Sequence, residues 1–265
     1  MTENKKDMAP ADGKKPLKKS ALAVVDKAKF LASLKLRLAE IEVQLTENQL
    51  AQLTDYYEIL VETNRVMNLT GIVEADEVAE KHIADSLRLL KYMNGKKPVK
   101  SIIDVGTGAG LPGVPLAVAC PDCEIILLDS QRKRCDFLEK VCQKLGLENA
   151  EVVWGRAEEA AHNEEYRERQ DMAVARAVAP MPVLLEYLAP LTKMGGTIVA
   201  MKGSNVAEEV ESAKNAAREL NTVQAEIAEY QLTSGEMRSL AIWQKQNAVK
   251  KKYPRNSGAI KKKPL

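Results

Sequence analysis

The hydrophobic pattern divides the chain into a helical first third and an alternating remainder. From about Ala21 to Glu42 apolar residues recur at weak helical spacing. The stretch Thr46-Glu-Asn-Gln49 then forms a capping box ahead of Leu50, Leu53, Tyr57, Leu60 and Val61, which predicts an amphipathic helix ending near Asn64–Asn68. After the turn-like Thr70-Gly71, a further helical region from about Asp76 carries Val78, Ile83, Leu87 and Leu90 and stops at Gly95.

From Val99 the period changes. Short apolar runs at Ser101–Val105, Glu124–Asp129, Ala150–Trp154, Met172–Ala175 and Thr197–Lys202 predict strands, with helix-like stretches at 113–120, 131–145, 156–162 and 181–193 between them. Such alternation implies crossovers and a mainly parallel sheet with helices on both faces. Val223–Leu232 and Arg238–Gln244, split by Thr-Ser-Gly-Glu, read instead as an antiparallel hairpin added at the sheet edge.

The first strand runs into Asp104-Val-Gly106-Thr-Gly108-Ala-Gly110, and the helix-like Val114–Ala119 follows. Alternate glycines let backbone leave a strand sharply and approach a ligand closely. The spacing G-x-G-x-G, with Leu111 next, is not the G-x-G-x-x-G of dinucleotide sites. The Asp104 carboxylate would repel a pyrophosphate but suits the ammonium end of a methionyl group, so the turn is either a site for S-adenosylmethionine or simply a tight strand-to-helix connection, and other features decide between them. Five crossover strands plus a terminal hairpin describe the sheet of a class I methyltransferase, a Rossmann-like α/β fold, here preceded by an N-terminal helical region.

Ligands of open parallel sheets lie beyond the carboxyl ends of the strands. There Asp129, followed by Ser130, suits the two ribose hydroxyls or a helix N-cap, and could serve both. Arg156-Ala157-Glu158 offers a backbone N–H and a polar side chain for an adenine edge. Arg176, at the end of the fourth strand, stands either at the cleft mouth or in a surface ion pair. That strand end lacks the Asn/Asp-Pro-Pro-aromatic run of amine methyltransferases and the Pro-Cys of pyrimidine-carbon methyltransferases. A guanine N7 needs neither, because it has an in-plane lone pair and no proton to lose; positioning then suffices.

Charge adds a partner class. The net charge of +2 conceals +3 over residues 1–20 and +8 over 245–265, which leaves −9 for the body. A basic arm through Lys250-Lys-Lys-Tyr-Pro-Arg255 and Lys261–Lys263 suits either a polyanion or simple solubility. No apolar run approaches the ~20 residues of a membrane span, and the lysine-rich start lacks a signal-peptide core, so a cytoplasmic protein is expected. Two histidines and one C-x-x-C, Cys120 to Cys123, do not make a metal site, and all four cysteines read as reduced thiols. The organisation expected is a flexible tail at 1–20, helices at 21–98, a methyltransferase domain at 99–245 and the basic arm at 246–265.

Taken together, Met67-Asn-Leu-Thr70, His82-Ile-Ala-Asp-Ser86, Asp104–Gly113, Leu128-Asp-Ser130, Lys133-Arg134 with Phe137-Leu138, Ala175-Arg-Ala177 and Ala200-Met-Lys-Gly203 resemble the bacterial small-subunit ribosomal RNA guanine-N7 methyltransferases, also called glucose-inhibited division protein B. The resemblance runs from about Leu34 to the C-terminus. It implies methyl transfer from S-adenosylmethionine to N7 of a guanine in a decoding-region loop of 16S ribosomal RNA, with the small subunit as partner; a monomer is expected. Family donor contacts fall on Gly106, Leu111, Ala157, Glu158 and Arg176; Asp104, Gly108 and Asp129 join them from the reading above. Asn68, His82, Asp85, Arg134 and Lys202 are polar residues of family motifs, expected either to face RNA or to cap helices and tie them to the sheet. No catalytic base is assigned.

Overall fold

The structure is a computed structural model that describes residues 24–93 and 98–265. The tail expected at 1–20 and the stop at Gly95 lie outside the described residues. Helix α1 (Lys27–Glu40) begins where Asp26 accepts the Lys29 N–H at 2.9 Å. Helix α2 (Glu47–Met67) opens on the expected capping box, with the Thr46 N–H donating to Gln49 Oε1 at 2.9 Å and the Gln49 N–H to Thr46 Oγ1 at 3.3 Å. Phe30 stacks on Tyr57 with ring centroids 4.5 Å apart, which ties α1 to α2. The third helical region runs as α3 (Ala75–Val78), a wider π turn at Ala79–Ala84, α4 (Asp85–Leu87) and a tight turn at Arg88–Tyr92. π turns recur at functional sites, and this one carries His82.

The remainder alternates: β1 (Ser101–Val105), α5 (Gly113–Ala119), β2 (Glu124–Asp129), α6 (Arg132–Leu145), β3 (Ala150–Trp154), α7 (Ala157–Ala160), β4 (Gln170–Arg176), α8 (Met181–Leu188) and β5 (Thr192–Lys202). Then come α9 (Val206–Ser212), α10 (Lys214–Glu219), β6 (Thr222–Gln231), β7 (Met237–Lys245) and α11 (Ser257–Lys262). The seven strands form one sheet in the order β3-β2-β1-β4-β5-β7-β6. β1 to β5 pair in parallel; β7 runs antiparallel between β5 and β6, so the expected hairpin closes the sheet edge. The chain passes from β1 to β2 on one side and returns to β4 on the other, which opens a crevice above β1 and β4.

Alternating strand residues feed two cores. Ile102 and Leu127 pack with Phe30, Leu60, Ile83 and Leu138, so the N-terminal helices share one core with the sheet. Ile103 and Leu128 face the other side, against Leu184, Leu188 and Val210. Each fully buried aliphatic side chain contributes about 1.5–3 kcal/mol, and burial on both faces explains the unbroken apolar runs of the central strands.

Several boundaries differ from expectation. The helix expected over 181–193 ends at Leu188, and the strand expected from Thr197 begins at Thr192. Pro190 has no N–H with which to continue a helix, and the Thr192 hydroxyl satisfies the Leu188 carbonyl at 2.9 Å. Thr192 instead pairs with Gln170, which also lengthens β4 beyond Met172–Ala175. Helix α7 is shorter than 156–162, and α9 and α10 fill a stretch to which the pattern assigns no element.

The basic C-terminal segment folds back onto the body. Arg167 donates to the carbonyls of Tyr253 at 2.9 Å and Val249 at 3.0 Å. Arg255 pairs in a fork with Glu186, which is wholly buried, at 2.9 and 2.7 Å. Asn256 caps α11 by accepting the Ala259 N–H at 2.8 Å.

Candidate functional site

A cleft of about 490 Å³ opens at the carboxyl ends of β1, β2 and β3. Gly106, Asp129, Ala157, Glu158 and Val178 contribute to its walls. This volume suits a small-molecule site, and four of the eight donor candidates meet there.

The glycine turn is held from below. Gly106 and Thr107 donate their N–H groups to the Leu128 carbonyl at 2.8 and 3.1 Å. Gly106 has φ +70°, and a Cβ on it would lie 2.8 Å from Val178 Cγ2. Both the left-handed backbone and the facing loop therefore require glycine. Gly108 donates to Asp129 Oδ2 at 2.9 Å. At Gly110, by contrast, the missing Cβ makes room for Val114 and Leu138. Packing of the Val178 loop on the turn accounts for one glycine, and packing of the turn on α5 and α6 accounts for the other.

Asp129 does not take the N-cap position expected of it but braces the turn and the start of α6. Its Oδ1 accepts the Gln131 N–H at 2.8 Å and its Oδ2 also meets Arg134 Nη1 at 3.4 Å, while the N-cap itself is Gln131. Oδ1 keeps a second lone-pair direction, and Asp129 lines the cleft. A ribose hydroxyl fits that arrangement.

Asp104 is fully buried. Its Oδ2 accepts from Thr107 Oγ1 at 2.6 Å and from the Gly113 N–H at 2.8 Å, which fixes both ends of the turn. Its Oδ1 is buried with no partner among the described residues. Burial pushes the carboxyl up to about 6, against the hydrogen bonds from Thr107 and Gly113. A buried carboxylate oxygen without a partner among the described residues, just behind the cleft-lining Gly106, has the charge to suit a cationic ligand group.

The other candidates lie apart from the cleft walls. Leu111 is buried in the core and donates its N–H to Thr107 O at 3.0 Å. Arg176 turns toward the N-terminal helices, with Nη1 3.2 Å from the Lys81 carbonyl and 3.5 Å from Asp85 Oδ2. Tyr230, from β6, donates to Asp85 Oδ1 at 2.6 Å, and Arg88 lies 4.2 Å above the Tyr230 ring. Motif reading missed Tyr230, because a lone aromatic on an edge strand carries no local signal. His82 Nε2 meets Thr70 Oγ1 at 2.8 Å, while Nδ1 is buried and unpartnered among the described residues. Burial, reinforced by the Arg176 charge, pushes its imidazole down to about 3, so it is neutral. Asn68 ends α2 with φ +51°. Lys202 donates to the Ala179 carbonyl at 2.6 Å and pairs with Glu209 at 2.7 Å, which ties down the 177–180 loop.

Among the described residues no cluster of three His, Cys, Asp or Glu side chains could hold a metal ion, and no helix is long and apolar enough to cross a membrane.

A switch-point cleft with a glycine turn on β1, an acid ending β2 and a terminal antiparallel hairpin defines a class I methyltransferase fold. A solved structure from Klebsiella pneumoniae, described provisionally as an O-methyltransferase, shares the fold: TM-score 0.51, 14% identity, 72% of this chain and 90% of that chain. Residues 49–239 match the family profile of rRNA small subunit methyltransferase G, and the chain belongs to that family. It is 43% identical over 227 residues to ribosomal RNA small subunit methyltransferase G of Alkaliphilus metalliredigens, covering 85% of this chain and 95% of the relative. It is 44% identical over 212 residues to the protein of that name from a Thermoanaerobacter species, covering 79% and 88%.

Proposed function

We propose that this enzyme transfers a methyl group from S-adenosylmethionine to N7 of a guanine in a decoding-region loop of 16S ribosomal RNA, in the cytoplasm and as a monomer. Family membership supports the substrate class. The observation that carries the donor is the turn itself: Gly106, in a left-handed backbone, lines the cleft, and behind it Asp104 keeps a buried oxygen without a partner among the described residues.

When bound, S-adenosylmethionine supplies an electrophilic methyl group on a sulfonium. Asp129 would accept a ribose hydroxyl, the Ala157 N–H and Glu158 would take the adenine edge, and Asp104 Oδ1 would meet its ammonium. Arg176, oriented by Asp85, stands between this site and the N-terminal helices. Guanine N7 attacks with its own lone pair, so the protein need not remove a proton. The neutral, buried His82 is consistent with that. Catalysis then rests on holding N7 in line with the methyl group and on carboxylates that stabilise the cationic guanine product. Asn68, Arg134 and Lys202 are proposed to border the RNA path, and the basic surplus of the C-terminal segment strengthens its attraction to phosphate.

Incubation with methyl-labelled donor and naked RNA, assembly intermediates or mature small subunits tests the reading. Label is expected in 16S ribosomal RNA with at least one of the three, and no transfer to any of them opposes it.

A further inference from the structure

The family profile ends at residue 239, yet the donor cleft does not. Ser257, Lys261 and Pro264, all from the C-terminal segment, stand in its wall opposite the β2 and β3 ends. We infer that the C-terminal helix α11 is part of the donor site: it forms the outer wall over the adenosine half, so that donor affinity and residence depend on its docking. This rests on the donor reading above and adds a binding element to it.

Three sets of contacts seat the helix. Ile260 is fully buried against Val183 and Tyr187, which themselves line the cleft. Beside Tyr187 on α8, Glu186 takes the Arg255 N–H at 2.9 Å as well as the guanidinium fork, so the segment entering α11 is fixed through backbone and side chain together. His162, just beyond α7, meets the Pro254 carbonyl at 2.7 Å. These anchors come from α8 and from the α7 region, both of which contribute residues to the cleft wall, Val183 and Tyr187 from the first and Ala157 and Glu158 from the second. A wall held in place before ligand arrives costs little ordering on binding. It also shields the ligand from exchange with solvent.

The test compares full-length variants by calorimetry with S-adenosylhomocysteine and by its dissociation rate in competition, with circular dichroism and thermal unfolding of the free proteins as controls. Ile260→Asp undocks α11 while leaving the Arg255–Glu186 fork. Ser257→Trp is a rim change that fills the cleft without touching the core. Both are expected to weaken binding about tenfold or more, with faster release, and with the secondary structure of the free protein retained. Should Ile260→Asp not fold, Ser257→Trp decides alone. If the wild type binds and the folded variants bind equally well, the wall is refuted while the donor reading stands. If the wild type itself fails to bind, the donor reading falls, and the wall with it.

Discussion

Tyr230 and Asp85, 145 residues apart in sequence, share a hydrogen bond of 2.6 Å that joins the edge strand β6 to the N-terminal helices. Asp85 uses its other oxygen for Arg176, so the orientation of an arginine at the end of β4 depends on a tyrosine three strands further out.

Tyr230→Phe should therefore destabilise the protein by about 1–3 kcal/mol, because a buried carboxylate oxygen loses its donor. Urea denaturation measures the loss. Steady-state kinetics should show a lower transfer rate from the disturbed Arg176, and unchanged stability and rate would contradict the coupling.

Gly106→Ala should weaken donor binding at least tenfold, because the added Cβ meets Val178 in a left-handed backbone. Gly146→Ala is the matched control: it has φ +65° with open space around it, and lies at the end of α6. It should incur only the backbone strain, about 1–2 kcal/mol of stability, and leave calorimetric affinity for S-adenosylhomocysteine intact.

The raised carboxyl of Asp104 predicts a pH dependence. Its ordinary value is 3.8 and its folded value about 6, so the stability it contributes is present below pH 3.8 and is lost as pH rises through about 6. Asp104→Asn keeps the neutral form. Relative to the wild type, its stability should rise by roughly 2–3 kcal/mol between pH 4 and 7. Saturating S-adenosylhomocysteine, whose ammonium partners Oδ1 in this account, should shrink that change. A difference independent of pH and ligand would remove Asp104 from the ligand-facing role.

His82 acts in the opposite sense. Its imidazole falls from 6.5 to about 3 on burial, so the stability it contributes is present above pH 6.5 and is lost as pH falls toward 3. His82→Gln should flatten the acid limb of the stability profile by about 2 kcal/mol between pH 6.5 and 5. An unaltered limb would mean that His82 is not held neutral.

The central sheet was legible because both faces of its strands are buried, leaving apolar runs such as Ile125–Leu128, and Ile102-Ile103 ahead of Asp104, that the pattern exposes. The capping box of α2 was legible because it is a local contact. The glycine turn was legible as a ligand site, but its spacing does not say that Gly110 serves packing or that Asp104 spends one oxygen on Thr107 and Gly113. The Tyr230–Asp85 bond and the seating of α11 were not legible at all. Both join residues far apart in the chain, and the lysines that flank Arg255 disguise a docked segment as a solvated arm.

That docked segment offers a thermodynamic test of its own. Arg255→Ala strands the buried Glu186 carboxylate and should cost about 3–5 kcal/mol. Adding Glu186→Gln should recover part of the loss, and a double-mutant cycle by urea denaturation isolates the coupling. Additive effects would show that the fork contributes no coupling energy.

The most direct measurement of the proposed activity maps the methyl group itself. Small subunits treated with the enzyme and S-adenosylmethionine are stripped to 16S ribosomal RNA, cleaved chemically at N7-methylguanine and sequenced. One new enzyme-dependent cleavage is expected, in a decoding-region loop, absent with Gly106→Asp. Label incorporated into the RNA without cleavage at any guanine would contradict it.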